Sequence, residues 1–282
     1  MAFTCTSFSF PLLSFADAAK VIALIGIPNL DVGAHEGGCH VQPSEVEANP
    51  SASIESIRRA VDDAGLGISD FFPTFGHGFR DRPVNTLNPA EREANVRRFR
   101  AIVEVSKAIG AKGITLLPGV IWDEVGPERS FEQSVSELRR LVPIANDAGL
   151  RLSVECHLES VAEPPEKAVE LIQAVPGLKL TLDYSHFVAN GYKPEDVHPL
   201  IPHAGHFHAR QARDGYLQSS HWDGTLDFPD IARRLTAAGY SGDVCLEYTW
   251  QEWRGANNVD VLMETILLRD QLRPLLETKR KT

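Results

Sequence analysis

Several features that assign a sequence to a familiar class are missing from this chain. The four cysteines form no CxxC pair, so they predict neither a zinc knuckle nor a disulfide framework. No GxGxxG fingerprint is present, which leaves a dinucleotide-binding doubly wound sheet without support, and no P-loop is present to bind a phosphate. No apolar run approaches the roughly 20 residues that span a bilayer.

Positive charge is also scarce. The 282 residues include 28 Lys and Arg against 38 Asp and Glu, which gives a formal net charge of −10. Proteins that bind duplex DNA or RNA neutralise phosphates with clustered Lys and Arg, so we expect no nucleic-acid partner. The Phe-rich start lacks the basic flank of a signal peptide. We therefore expect a cytoplasmic protein with no membrane partner.

Strand-like and helix-like segments alternate along the chain. The strand-like segments lie near 3–8, 27–33, 67–73, 113–119, 151–156, 178–183, 204–209 and 242–247. The helix-like segments, with apolar residues at three- and four-residue spacing, lie near 15–25, 51–65, 89–109, 130–148, 165–174, 194–201, 228–238 and 257–277. Eight such units without a flexible linker predict one α/β domain over residues 1–282, a single (β/α)8 TIM barrel. An open doubly wound sheet is the alternative.

Several helix boundaries are marked by residues that satisfy the unpaired backbone groups at helix ends. Asn88 before a proline predicts a helix start, because its side chain can accept a hydrogen bond from the first turn. Ser130 with Gln133 three residues later forms a capping-box pattern. Gly65 and Gly110 follow apolar stripes and predict left-handed helix ends.

Four strand-like segments in the second half of the chain each end in a residue that can bind a divalent cation. These residues are Glu155, Asp183, His208 and Glu247. Successive members are 28, 25 and 39 residues apart, close to the about 30 residues of one strand-plus-helix unit. Successive parallel strands bring such side chains to one end of a barrel, where barrel enzymes have their active sites. Any one of them alone is more simply an isolated polar residue at a strand end, but four in succession predict a site.

The composition of this set indicates which ion it binds. Three carboxylates and one imidazole form a hard, oxygen-rich set of ligands, whereas a structural zinc site prefers Cys and His. We therefore expect one divalent cation, with Mn²⁺ first and Mg²⁺, Co²⁺, Ni²⁺, Fe²⁺ or Zn²⁺ as possible substitutes.

The sequence resembles the xylose isomerase-like TIM-barrel superfamily, in particular its sugar isomerases and epimerases. The resemblance covers nearly the whole chain and is carried by Glu155 closing a strand, by Asp183 and His186 in a D-x-x-H motif, by His208 in HARQAR, and by Glu247 in the last strand. It implies a Glu–Asp–His–Glu metal site with the two glutamates flanking the substrate. It also implies a homo-oligomer, either a dimer or a tetramer.

This site predicts chemistry next to a carbonyl group. A divalent ion that holds two neighbouring oxygens of a hydroxyketone acidifies the adjacent C–H and stabilises the enediolate. Glu155 and Glu247 come from different parts of the ring of strands, so one can remove a proton and the other can return it. We therefore expect an isomerase or epimerase that acts on a sugar, cyclitol or related hydroxyketone. A dehydratase or lyase, including one that cleaves an oxidised glycoside, is the alternative.

Further residues are candidates for binding the substrate. The resemblance implies that His186 contacts a substrate oxygen. His157 shares the inward face with Glu155, Arg213 can hold a hydroxyl or carboxylate, and Trp122 can stack on a sugar. Alternation along the strand predicts that Arg210 points away from the site.

Four more histidines are candidates for structural roles or for further metal ligands. His206 is predicted to be a buried, hydrogen-bonded core residue one layer below the site. His35 and His77 follow the second and third strands, where endonucleases of the same superfamily place extra zinc ligands. The endonuclease Asp-x-His pair is absent, because Ser219 precedes His221 by two residues.

A non-catalytic scaffold is the remaining interpretation. In that case, the segment EYTWQEWRGANNVDVLMETILLRDQLR, which contains two tryptophans and a long amphipathic stretch, would form an interface.

Overall fold

Eight parallel strands close into a barrel in the computed structural model, which describes residues 1–276. Each strand pairs with the next along the chain, and β1 pairs with β8 to complete the ring. The strands are β1 (Phe3–Thr6), β2 (Asn29–Ala34), β3 (Gly67–Pro73), β4 (Gly113–Leu116), β5 (Arg151–Val154), β6 (Lys179–Asp183), β7 (Ala204–Ala209) and β8 (Val244–Leu246). The predicted (β/α)8 barrel is confirmed, and the open sheet is excluded.

Helices surround the barrel and shield the outer face of its strands. They are α1 (Phe15–Leu24), α2 (Pro43–Ala48), α3 (Pro50–Ala64), α4 (Pro89–Ile109), α5 (Gly126–Asp147), α6 (Pro165–Ala174), α7 (Tyr184–Ala189), α8 (Pro194–Val197), α9 (Phe228–Ala237) and α10 (Val261–Leu276). None of the helices within residues 1–276 is long and apolar enough to cross a membrane.

The short helices are where the sequence prediction differs from the structure. α2 and α7 were not predicted, because six residues are too few to show a helical period. The helix predicted over 194–201 is instead α8 followed by a 3-10 segment, His198–His203. Two prolines in that segment lack the N–H that an α-helix needs. The final predicted helix extends to residue 277, which lies outside the described residues.

Helix ends follow the predicted capping at three positions and depart from it at a fourth. The side chain of Asn88 accepts a hydrogen bond from Ala90 N, and Gly65 and Gly110 adopt left-handed conformations with φ of +68° and +84°. The prediction of a capping box at Ser130 is wrong. α5 begins about one helical turn before Ser130, and a proline occupies one of its first two positions. The Ser130 hydroxyl instead donates to a backbone carbonyl inside the helix.

The barrel interior has an ion pair at its N-terminal end. Asp70 is buried, with 1% of its surface exposed, and accepts bonds from Arg151 Nη2 and Thr115 Oγ1, each at 2.5 Å. Burial raises the pKa of the Asp70 carboxyl, and Arg151 opposes this rise. A Cβ at Gly113 would lie 2.5 Å from Arg151 Nη2, so glycine makes room for the guanidinium.

We expect Arg151→Ala to lower the free energy of unfolding by about 3 kcal/mol, because a buried carboxylate loses its counter-charge. Arg59→Ala is the matched control. It removes an ion pair with Glu55 whose side chains are 68% and 72% exposed, and such pairs contribute at most about 0.5 kcal/mol. Urea unfolding of the three proteins measures the difference. Similar losses in the two variants would contradict a structural role for the buried pair.

Candidate metal centre and active-site cavity

The four predicted metal ligands meet at the C-terminal end of the barrel. Glu155 directly follows β5, Asp183 ends β6, His208 lies in β7, and Glu247 directly follows β8; all four are buried. Nδ1 of His208 is 2.7 Å from Glu155 Oε1 and 3.0 Å from Glu247 Oε2. One imidazole nitrogen thus lies between two carboxylates that come from strands on either side of it.

Asp183 joins this cluster through Glu155 and His186. Nε2 of His186 is 3.6 Å from Glu155 Oε2 and 3.8 Å from Asp183 Oδ2. The candidate ligand atoms therefore form two groups that share Glu155, one with His208 and Glu247 and one with Asp183 and His186. Within each group the ligand atoms lie within 4.8 Å of one another, a spacing that is suitable for a single metal ion.

Arg210 belongs to the site, contrary to the sequence prediction. Alternation counted from Arg213 would direct it away, whereas alternation counted from His208, two residues earlier, directs it inward, as the structure shows. Nη2 of Arg210 is 2.9 Å from Asp183 Oδ2 and 3.4 Å from Glu247 Oε2. Its Nε donates to Ser185 Oγ.

The charge balance of the cluster fits a divalent cation. The three buried carboxylates carry three negative charges, and the Arg210 guanidinium offsets one of them. With a neutral imidazole, two negative charges are left, which a divalent ion would balance, and buried charges require such pairing. Oε2 of Glu247 is buried and has no hydrogen-bond partner among the described residues. The donor set therefore fits the predicted ion.

Electrostatic effects on the ionisable groups lead to the same conclusion. Burial alone would lower the pKa of His208, but Glu247 and Glu155 raise it well above its usual value. Burial would raise the pKa of Glu155, yet His208 and His186 lower it. Burial raises the pKa of Glu247, and His208 and Arg210 only partly offset this. Positive charge at Nδ1 of His208 is thus strongly favoured.

Asp31, in β2, is a site residue that the sequence analysis missed. Its Oδ2 is 2.6 Å from His206 Nε2 and 3.8 Å from His208 Nε2, and its Oδ1 accepts a hydrogen bond from Thr4. Burial would raise the pKa of Asp31, but the two imidazoles lower it overall. His206 is fully buried below His208, as predicted. An acidic residue inside the apolar strand NLDVGA was the available signal.

A cavity of about 390 Å³ opens above the cluster. Glu155, His186, Arg210 and Glu247 line its floor. His157 also lines it and is 3% exposed. Burial lowers the pKa of His157 to about 4, so its ring is neutral at pH 7. Its Nδ1 faces the backbone oxygen of the next residue, while Nε2 has no partner among the described residues.

Two predicted substrate-binding residues lie outside this cavity lining. The guanidinium of Arg213 lies over the ring of Tyr216, 3.4 Å from its centroid. Trp122 donates its indole N–H to the backbone oxygen of Asn85 at 3.0 Å. Arg213 is thus held within its own loop, and Trp122 is held against the loop after β3. The tryptophans that do line the cavity are Trp250 and Trp253, which follow β8.

The two histidines that suggested an endonuclease have other surroundings. The His35 ring lies 5.2 Å from that of Phe8 and 5.3 Å from that of Phe72, along one wall of the cavity. His77 is exposed, and its Nδ1 is 3.1 Å from the backbone oxygen of Glu36. Within residues 1–276, neither histidine belongs to a group of three or more side chains that can hold a metal.

Known proteins resemble this chain in sequence. A putative hydroxypyruvate isomerase from Streptomyces coelicolor (strain ATCC BAA-471 / A3(2) / M145) is 25% identical over 219 residues, which cover 70% of this chain and 74% of that protein. The inosose isomerase of Bacillus subtilis (strain 168) is 27% identical over 138 residues, 48% of this chain. That match spans 45% of the inosose isomerase, less than half of its length.

A solved structure and a family model extend the comparison to most of the chain. The crystal structure of D-psicose 3-epimerase in the presence of D-fructose superposes with a TM-score of 0.76 at 16% identity, covering 98% of this chain and 99% of that one. At this identity the likeness shows the fold alone. The model of the xylose isomerase-like TIM barrel matches residues 35–269. The chain belongs to the xylose isomerase-like TIM-barrel family.

Proposed function

We propose that this protein is a divalent-metal-dependent isomerase or epimerase that transfers a proton next to the carbonyl of a sugar, cyclitol or related hydroxyketone. The observation that carries the proposal is the pair of buried carboxylates, Glu155 and Glu247, on either side of His208 Nδ1 at the floor of a cavity. The names of the relatives, an inosose isomerase and a putative hydroxypyruvate isomerase, support the same class of reaction.

Glu155, Asp183, His208 through Nδ1, and Glu247 would hold the ion. Mn²⁺ is our first choice, because three carboxylates and one imidazole suit a hard cation that also accepts nitrogen. When bound, the ion supplies Lewis-acid stabilisation of the negative charge that develops on the carbonyl oxygen. Arg210 remains paired with Asp183 and offsets part of the negative charge of the floor.

The two glutamates supply the proton transfer. β5 and β8 are separated by two strands of the ring, so Glu155 and Glu247 approach a bound carbon from different sides. One carboxylate removes the proton from the carbon next to the carbonyl, and the other returns a proton to the opposite face or to the neighbouring carbon. The first outcome inverts the centre, and the second moves the carbonyl.

Two histidines orient the substrate in this proposal. His186 is held on both sides of its ring, because the backbone N–H of Leu158 donates to Nδ1 at 3.3 Å and Arg210 Nη2 lies 3.1 Å from Nε2; its ring would contact a substrate oxygen on the floor of the cavity. His157 offers its unpartnered Nε2 to a substrate hydroxyl. We further propose a small-molecule substrate, a cytoplasmic location and a homo-oligomeric state. Arg213 and Trp122 would contact the substrate only if their loops rearranged.

Metal content and solvent exchange test the proposal together. We expect purified protein to bind about one Mn²⁺ per chain, since the donor set forms a single cluster. The Mn²⁺-loaded protein, incubated with ketoses and inososes in D₂O, should incorporate deuterium next to the carbonyl of its substrate. Chelation should abolish this exchange, and Mn²⁺ should restore it. Two or three ions per chain would instead favour a phosphodiesterase, and an unsaturated product would favour a dehydratase.

Glu155→Gln and Glu247→Gln should each lower the exchange rate by at least about a hundredfold, because each removes a proton-transfer group. Asp183→Asn should mainly weaken Mn²⁺ binding. Glu124→Gln is the matched control, since Glu124 is exposed in the loop after β4 and should leave the rate unchanged. Circular dichroism checks that the variants are folded. Near-normal exchange in both glutamine variants would refute the assigned roles.

Asp31→Asn should weaken Mn²⁺ binding about 10- to 100-fold, as loss of a carboxylate behind a ligating histidine does. Asp31 faces Nε2 of His208, the ring nitrogen opposite the one that faces the glutamates. Thr4→Val removes only the hydrogen bond to Asp31 Oδ1 and should have a smaller effect. Calorimetric Mn²⁺ titration measures both. An unchanged affinity in Asp31→Asn would show that Asp31 does not orient the ligand.

A further inference from the structure

The upper part of the cavity is aromatic, in contrast to its charged floor. Phe79, Trp250 and Trp253, here called the aromatic roof, all line the cavity. The rings of Phe79 and Trp253 meet edge to face with centroids 5.6 Å apart. Phe79 is also 4.9 Å from the ring of His157. The roof thus combines side chains from the loop after β3 and the loop after β8.

A second apolar surface completes one side of the cavity. The rings of Phe8 and Phe72 meet at 5.9 Å, and both contact the ring of His35. Phe72 lies 6.0 Å from the ring of His208, so this wall runs down to the proposed metal ligands. An apolar part of a substrate fits such surfaces, because a hydroxyl group directed at them would lose its hydrogen bonds to water without replacing them.

An ion pair ties the roof to the other side of the cavity. Arg254, next to Trp253, donates to Glu159 at 2.8 Å and so joins the loop after β8 to the loop after β5. Both residues have positive φ, +54° and +68°, which is strained for residues other than glycine. Strained conformations of this kind are typical of ligand clamps. The Arg254 guanidinium also lies 5.9 Å from the centroid of the Trp253 ring, so these contacts join Trp253 to the loop after β5.

Two histidines in the lining of the cavity, His157 and His35, have a buried Nε2 with no hydrogen-bond partner among the described residues. His157 contacts Phe79 above and His186 beside it, with ring centroids 6.3 Å apart in the second case. Its buried Nε2 has no partner among the described residues. A polar atom at this level can meet the hydroxyl or ring substituent of a ligand whose reacting part lies on the floor and whose apolar part lies under the roof.

We infer that the substrate is a keto-sugar or keto-cyclitol that carries an aromatic group, with the hydroxyketone at Glu155 and Glu247 and the aromatic ring under Trp253 and Phe79. This inference rests on the proposed function and names the class of substrate that the same site would bind. Offset and edge-to-face stacking on Trp253 and Phe79 would favour a flat ring there. The cavity of about 390 Å³ lies in the range of pockets that enclose ligands larger than a simple sugar, about 300–1,000 Å³.

The experiment compares two keto-glucosides that differ only in a methyl or a phenyl group on the anomeric oxygen. The rate of deuterium exchange next to the carbonyl, catalysed by the Mn²⁺-loaded protein, gives kcat/KM for each. We expect at least about a tenfold preference for the phenyl compound, as apolar pockets discriminate to this degree. Trp253→Ala and Phe79→Ala should each remove most of that preference, and Trp253→Phe should retain most of it.

Trp222→Ala is the matched control, because Trp222 is 79% exposed and its ring meets that of His221 edge to face. It should leave the ratio unchanged. Equal kcat/KM for the two compounds in the wild-type protein would overturn the inference while leaving the proposed function intact. If neither compound exchanges deuterium, the proposed function fails for them, and calorimetric binding decides the inference. Tighter binding of the phenyl compound that depends on Trp253 supports the inference. Equal binding of the two compounds, or no binding of either, overturns the inference.

Discussion

The arrangement at the C-terminal end of the barrel depends on one interaction, the placement of His208 Nδ1 between the carboxylates of Glu155 and Glu247. Carboxylates this deeply buried repel one another and lose their hydration, so they can converge only around positive charge. Arg210, in the turn after β7, supplies part of that charge, and His208 directs Nδ1 into the same space, where a cation would supply the rest. β7 therefore determines where the carboxylates of β5, β6 and β8 can lie.

Support for His208 continues below it into the barrel. Asp31 holds His206 and faces the second nitrogen of His208, while Thr4 holds Asp31 in turn. The chain of contacts runs from β7 past β8 to β2 and β1. It fixes the orientation of the imidazole from behind, so that Nδ1 is directed toward the glutamates. A polar core at this level replaces the branched apolar side chains that commonly fill such barrels.

The sequence could predict the barrel and the positions of the four ligands, because both follow from local patterns. A strand that ends in Glu155 or Asp183 places that residue at one known end of a parallel barrel. Contacts across the ring leave no such local pattern, which is why Asp31 was missed. Arg210 was assigned to the wrong face because its direction was counted from Arg213, which lies beyond the end of β7, rather than from His208 within the strand. The aromatic roof was missed for a related reason, since Trp253 meets Phe79 only after two distant loops fold together.

The two ends of the barrel use the same kind of ion pair for different purposes. At the N-terminal end, Asp70 is paired with Arg151 and also bonded to Thr115, so its charge and both its oxygens are satisfied within the protein. At the C-terminal end, Arg210 is paired with Asp183 but faces two further carboxylates. At one end the buried carboxylate is neutralised within the protein, whereas the other end has excess negative charge beneath a cavity. This difference in neutralisation, rather than the presence of buried charge, is what distinguishes a site that needs a cation from one that only stabilises the fold.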